Sequence, residues 1–288
     1  MRSSKKVLAC VDQSDYAQHV ADYAAWAAEH LAAPLELLHV IDRHQEVASD
    51  VDRSGSLEMD AQEHLLERLS TEEGERNRAV REEGRLFLNT LKARCATNSE
   101  VNIDTRQRYG QLLTTLKEQE ASVAMYVLGR RGESASRTRR DLGRHVESIC
   151  RQIRRPILTV TDDFRTPRSL LIAFDGGKMT RRGVKLIASR SSLKDLPVHV
   201  IMSGRRTQES TKHLEWAEAT LCAKGFSVDT SLIPGDPEQV VTRAIEEREA
   251  DLLIMGAYSH SPWRSLLVGS RTNDLLRASQ VATITLHD

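Results

Sequence analysis

The sequence has no excess charge. Its 41 lysines and arginines balance 41 aspartates and glutamates, so the formal net charge is zero. A nucleic-acid binder ordinarily carries a basic excess, and its lack counts against that class of partner. No apolar run approaches the roughly 18–20 residues that a membrane-spanning helix needs. The opening Met1-Arg-Ser-Ser-Lys-Lys runs straight into a strand-like segment and has no signal-peptide layout. The expected location is the cytoplasm, with no membrane partner. Cysteine is scarce too: Cys10, Cys95, Cys150 and Cys222 are scattered and form no CxxC. That argues against a zinc site or a disulfide framework and leaves four reduced thiols as the expectation.

What remains is an ordinary globular composition, 40% apolar and 28% charged, in 288 residues, which is enough for two domains that each bury a core. Short apolar runs alternate with helix-period segments. Val7–Val11, Leu35–Ile41, Val101–Arg106, Ser122–Leu128 and Pro156–Thr161 read as strands. Between them, Val20, Ala24, Ala27, Ala28 and Leu31 mark a helix with a small-residue face, Leu112–Glu120 a short one, and Val146, Ile149 and Ile153 another. The charged stretch from Leu57 to Cys95 is helix-forming, with Gly74 and Gly84 expected to bend or split it.

After a polar, proline-containing hinge, Thr161–Arg168, the order repeats. The second set of strands is Leu170–Phe174, Val198–Met202, Val228–Ile233, Leu252–Met255 and Ala282–Leu286. Helices are expected near 181–190, 210–224, 238–248 and 272–278. Alternating strands and helices imply parallel sheets with helices on their faces. Because the two series run in the same order, an internal duplication accounts for them better than one large unit. The expected domains are residues 1–162, enlarged by a charged helical segment at about 57–97, and 166–288.

Two features recur in each half. An aspartate ends the first strand (Asp12, Asp175), and a glycine loop ends the fourth (from Gly129 and from Gly256). In a doubly wound sheet these strand ends are neighbours at the switch point, where ligands bind. The acid suits a ribose hydroxyl or a metal ion carried by phosphates. The loop amides and the following helix N-terminus suit the phosphates themselves. The bland readings are a helix-capping role for each aspartate and a simple chain turn at each glycine. His39 and His199 read as packed core histidines, His260 as a polar group beside the loop, and Trp263 as a packing aromatic. The 57–95 segment reads as a solvated arm or as a cover over the first site.

With these residues in place the chain resembles the universal stress protein family, as a tandem of two such domains, over essentially its whole length apart from the enlarged segment. Nucleotide-binding members carry Gly-x2-Gly-x9-Gly-Ser/Thr after strand four and an Asp at the end of strand one. The second half has Gly256-x2-Ser259-x9-Gly269-Ser270, with the spacing kept and one glycine lost. The resemblance implies two doubly wound five-stranded parallel sheets of the Rossmann-like, adenine nucleotide alpha hydrolase-like kind. It places Asp175 and Val200 near ribose and adenine, and Gly256, Gly269 and Ser270 on the phosphates. The implied ligand is ATP or another adenine nucleotide, with magnesium reaching Asp175 through it.

In the first half Asp12 and Val40 take the corresponding places, but Gly129-x2-Gly132 is followed by ten residues before Gly143, and Arg144 replaces the hydroxyl residue. Arg130, Arg131, Arg137, Arg139, Arg140 and Arg144 crowd this loop. They suit anions, a solvated basic face, or a plugged cleft. At Ser259, a left-handed backbone would cost about 1–2 kcal/mol, against about 0.3–1 kcal/mol for a helix-terminus charge contact. The substitution weakens binding without abolishing it. Nucleotide is therefore expected chiefly in the second half, with at most slow hydrolysis and no catalytic residue assigned.

Two other classes compete. An ATP pyrophosphatase or nucleotidyltransferase would carry a Ser-Gly-Gly-x-Asp-Ser loop or a His-x-x-His-type signature, and neither is present. An interaction scaffold, or a stress protein holding an apolar ligand, is favoured by the degraded motifs. In this family the fifth strands commonly join two domains. The expectation is thus an intrachain pseudo-dimer through 156–161 and 282–286, with a homodimer of whole chains left open.

Overall fold

The computed structural model describes residues 5–41, 59–130, 144–161, 163–256, 276 and 279–287. In the first half, strand β1 (Lys6–Cys10) leads into helix α1 (Ala17–Leu31) and strand β2 (Leu35–Ile41). Helix α2 (Met59–Asn98) follows, then β3 (Ile103–Tyr109), α3 (Leu112–Gln119), β4 (Val123–Gly129), α4 (Arg144–Gln152) and β5 (Ile157–Val160). The second half has β6 (Leu170–Ala173), α5 (Lys178–Ala188), β7 (Val198–Ser203), α6 (Gln208–Cys222), β8 (Val228–Ile233), α7 (Pro237–Glu247), β9 (Leu252–Gly256) and β10 (Ala282–Leu286). Leu276 is helical; the rest of the helix expected at 272–278 lies outside the described residues.

All ten strands form one sheet in the order β3-β2-β1-β4-β5-β10-β9-β6-β7-β8. Every neighbouring pair is parallel except β5 and β10, which run antiparallel with Thr159 opposite Thr283 and Ile157 opposite Thr285. Each half is thus a doubly wound five-stranded sheet with the same strand order. The pairing of fifth strands expected from the duplication is what joins them. It consumes two edges that would otherwise stand open. The linker is held as well: the Phe164 ring meets Tyr23 edge-on at 4.8 Å, and Arg168 donates its backbone N–H to Asp251 at 2.9 Å.

Small side chains set how close α1 sits to the sheet. Ala17, Ala21, Ala24, Ala27 and Ala28 are all buried on β1 and β4. The helix then stops at Ala32 in a left-handed conformation (φ 47°).

The charged segment departs from expectation. Met59–Asn98 is a single helix of 40 residues, about 60 Å long at 1.5 Å per residue. Gly84 does not break it. The glycine is buried at the closest approach of α2 to the sheet, where a Cβ would collide with Gln107 on β3 and approach His39 on β2 to 3.2 Å. From there Leu88, Leu91 and Cys95 continue the buried stripe at helical spacing. Arg94 grips Asp22 of α1 with both ends of its guanidinium, at 2.9 and 2.7 Å. This half of α2 is therefore a packed layer of the first domain. Arg81, earlier in the helix, reaches Tyr109 at the last residue of β3. The helix runs antiparallel to β3, so its N-terminal part extends past the carboxyl ends of the strands.

Candidate functional site

In the second half the strand order reverses between β9 and β6. Strand β6 connects through α5 to β7 on one side, and β9 leads to β10 on the other. The register pairs Ala173 with Met255, so Asp175 and Gly256 leave adjacent strand ends at the switch point, where ligands of open α/β sheets sit. Asp175 is exposed. Its Oδ1 accepts from the Gly177 N–H at 2.8 Å and from the Thr180 hydroxyl at 2.6 Å. The aspartate thus holds the first turn of α5 in place. It does so without being the formal cap, which is Gly177. Its Oδ2 takes no bond among the described residues.

Gly256 stands against the same turn. A Cβ there would lie 3.4 Å from Thr180 Cγ2 and 3.6 Å from Met179 Cβ. Carboxylate, glycine and helix N-terminus therefore meet in one place. Gly176 adopts φ +74° beneath His213 of α6, where any Cβ would collide with the imidazole. Arg181 donates from Nε to the Gly176 carbonyl at 2.8 Å and lies over the Trp216 ring at 4.4 Å. Trp216 in turn stacks with Phe174 at 6.3 Å. These contacts fix the loop after β6.

Val200 is fully buried in mid-strand of β7. The register opposes Ala173 to Ile201, and in the first half Ala9 to Leu37. Carried forward, Val40 stands level with Asp12, and Ser203 stands level with Asp175. Ser203 is therefore the second half's counterpart of Val40, three residues beyond Val200. Its hydroxyl donates to the Gly235 carbonyl at 2.8 Å. Its signal in the sequence was available: the same offset from the aspartate in each half points to it.

In the first half, Asp12 Oδ1 accepts from the backbone N–H of Ser14 at 3.2 Å and from its hydroxyl. Val40 is half-buried near the end of β2. Gly129 ends β4 beside Val160 of β5. The next residue, Arg130, sends its guanidinium across the junction to the carbonyls of Ser279 and Val281, just before β10. This one of the crowded arginines fastens the two halves. Phe87, Thr90 and Leu91 of α2 face Gln13, Ser14 and Asp15 across a cleft of about 460 Å³, so the inserted helix covers the loop that follows Asp12. His39 donates from Nδ1 to the Val11 carbonyl at 2.9 Å, and His199 lies 3.6 Å from Asp229; both are tied into the sheet. Gly132, Gly143, Ser259, His260, Trp263, Gly269 and Ser270 lie outside the described residues.

All four cysteines are free thiols. Burial pushes Cys95 and Cys150 up to about 12 and raises Cys10 further, which keeps them protonated and unreactive. Among the described residues no three His, Cys, Asp or Glu side chains group as a metal site, and no helix is long and apolar enough to cross a membrane.

Comparison with known proteins agrees with this fold. The model of the universal stress protein family matches residues 3–161 and again 168–287. The chain is 32% identical over 284 residues to Universal stress protein Slr1230 of Synechocystis, covering 98% of this chain and 99% of that protein. Among solved structures it is similar to a universal stress protein from Archaeoglobus fulgidus, at 16% identity and a TM-score of 0.67, covering 99% of this chain and 97% of that one. It is also similar to the functionally unknown protein PA1789 from Pseudomonas aeruginosa, at 16% identity and a TM-score of 0.63, covering 99% and 93%. Matched twice along its length by one family model and folded as two copies of one sheet, the chain belongs to the universal stress protein family as a tandem, two-domain member.

Proposed function

We propose that the protein acts in the stress response as a regulator that binds an adenine nucleotide, ATP foremost, in its second half, and hydrolyses it slowly if at all. The observation that carries this reading is the meeting of Asp175, Gly256 and the first turn of α5 at the β6–β9 switch point. The exposed carboxylate suits ribose hydroxyls, or a magnesium ion brought by the phosphates. Gly256 lets the end of β9 lie against the first turn of α5, and the sequence spacing assigns Gly269 and Ser270 to the phosphates. The α5 N-terminus contributes favourable potential, worth about 0.3–1 kcal/mol. The first half is the weaker site: its loop departs in spacing, Arg130 is engaged at the junction, and α2 stands against residues 13–15.

The test is equilibrium titration of the intact chain with ATP beside Gly269→Val. A side chain at that glycine is expected to collide with the phosphates and abolish binding by the second half. Unchanged affinity in the variant would remove the site assignment.

A further inference from the structure

The two halves treat one place in the shared fold differently, and the buried faces of their helices set the correspondence. Ala17, Val20, Ala21 and Ala24 are buried in α1 where Thr180, Gly183, Val184 and Ile187 are buried in α5. Leu88, Leu91 and Cys95 are buried in α2 where Leu214, Ala217 and Leu221 are buried in α6. Gln18 is therefore the counterpart of Arg181, Asp15 of Lys178, Phe87 of His213 and Thr90 of Trp216.

In the second half this place is filled from within. The Arg181 guanidinium lies over the Trp216 ring at 4.4 Å, and His213 is pressed against Gly176. The first half has neither that cation nor that indole. Instead Gln13, Gln18, Phe87 and Thr90 line a cleft of about 460 Å³, within the size range of small-molecule sites. Its floor is apolar: Leu91 is buried, and the Phe87 ring is held by His39 at 5.6 Å. Its rim is polar. Ser14 and Thr90 donate their hydroxyls to Asp12 and to the Leu86 carbonyl. Among the described residues the side chains of Gln13, Asp15 and Gln18 have no hydrogen bond or ion pair. Neither Asp12, Val40 nor Gly129 lines this cleft, so it is distinct from the strand-end switch point of that half.

Charge decides what fits. The second half carries two cations here, Lys178 and Arg181, where the first has the acid Asp15 and an uncharged Gln18. Asp15 is exposed and is the charged residue that lines the cleft. A cation there gains a charge-assisted hydrogen bond to the carboxylate, and an apolar body attached to it covers the floor. We propose that the first half binds a small organic cation in this cleft, a guanidinium or ammonium group on a flat apolar body. Asp15 takes the charge, and Phe87 and Leu91 take the body.

Calorimetric titration of the full chain with phenylguanidinium, and with phenylurea as its uncharged isostere, tests it. The cation is expected to bind about fivefold tighter than the urea, the effect of one solvent-exposed charge pair. Asp15→Asn is expected to bring the two to near equality. Gln18→Arg combined with Thr90→Trp, which copies the second half's own filling, is expected to abolish binding of both. Positions 18 and 90 are exposed, so the fold tolerates the change. Equal affinity for the two compounds, a preference that survives Asp15→Asn, binding that survives the filled variant, or no binding of the cation at millimolar concentration overturns the proposal.

Discussion

Ala32 ends α1 in a left-handed conformation that a side chain disfavours, with its N–H closing onto the Ala28 and Glu29 carbonyls. The strain is of order 1–2 kcal/mol, reduced by the greater freedom glycine has in the unfolded chain. Ala32→Gly is therefore expected to raise stability by up to about 1 kcal/mol, read as a higher thermal midpoint. Asp12 and Asp175 were legible as strand-end acids, and each holds the turn after its strand through its Oδ1. Val200, which the resemblance set near the base, lies buried in mid-strand of β7. Only the register against β6 shows that Ser203 reaches the rim.

At the scale of elements, the two glycines of α2 are opposites. Gly74 has nothing within 4 Å of a hypothetical Cβ, whereas Gly84 is pressed onto β3. Gly74→Ala is expected to stabilise by about 0.5–1 kcal/mol through helix propensity. Gly84→Leu is expected to cost about 1–3 kcal/mol by forcing α2 off the sheet. Denaturant unfolding of the two variants checks both signs. β2, β8 and β10 were read with identical bounds: β2 and β10 because buried strands are near-continuous apolar runs between turn signals, and β8, a half-buried edge strand, from the turn signals that bracket it. α2 was harder. A helix-breaking reading of glycine is local, while the close approach that Gly84 permits is visible only once β2 and β3 lie beneath it. Of the glycines read by spacing in the loops after β4 and β9, Gly129 and Gly256 are the ones that fall among the described residues.

For the whole molecule, the antiparallel β5–β10 pairing and its polar surroundings hold the halves together. Thr159 donates its hydroxyl to the Thr283 carbonyl and Thr285 to that of Ile157. His287, at the end of β10, is lowered from 6.5 to about 4, chiefly by burial. A histidine kept neutral in the fold stabilises nothing extra above pH 6.5. As pH falls below that value the unfolded chain takes a proton that the native state refuses, and stability declines until about pH 4. The loss from this residue is of order 3 kcal/mol. Melting curves between pH 7 and pH 4.5 are expected to fall less steeply for His287→Gln than for the parent chain. Solution scattering is expected to report one body, and two independently moving beads would contradict the continuous sheet.

The duplicated sheet is joined through its fifth strands, and the account assigns the nucleotide to the later half. Native mass spectrometry of the intact chain titrated with ATP counts bound nucleotides directly. The account predicts one per chain, kept in Asp12→Ala and lost in Asp175→Ala. One that survives Asp175→Ala but disappears with Asp12→Ala, or none at all in the parent chain, would contradict it.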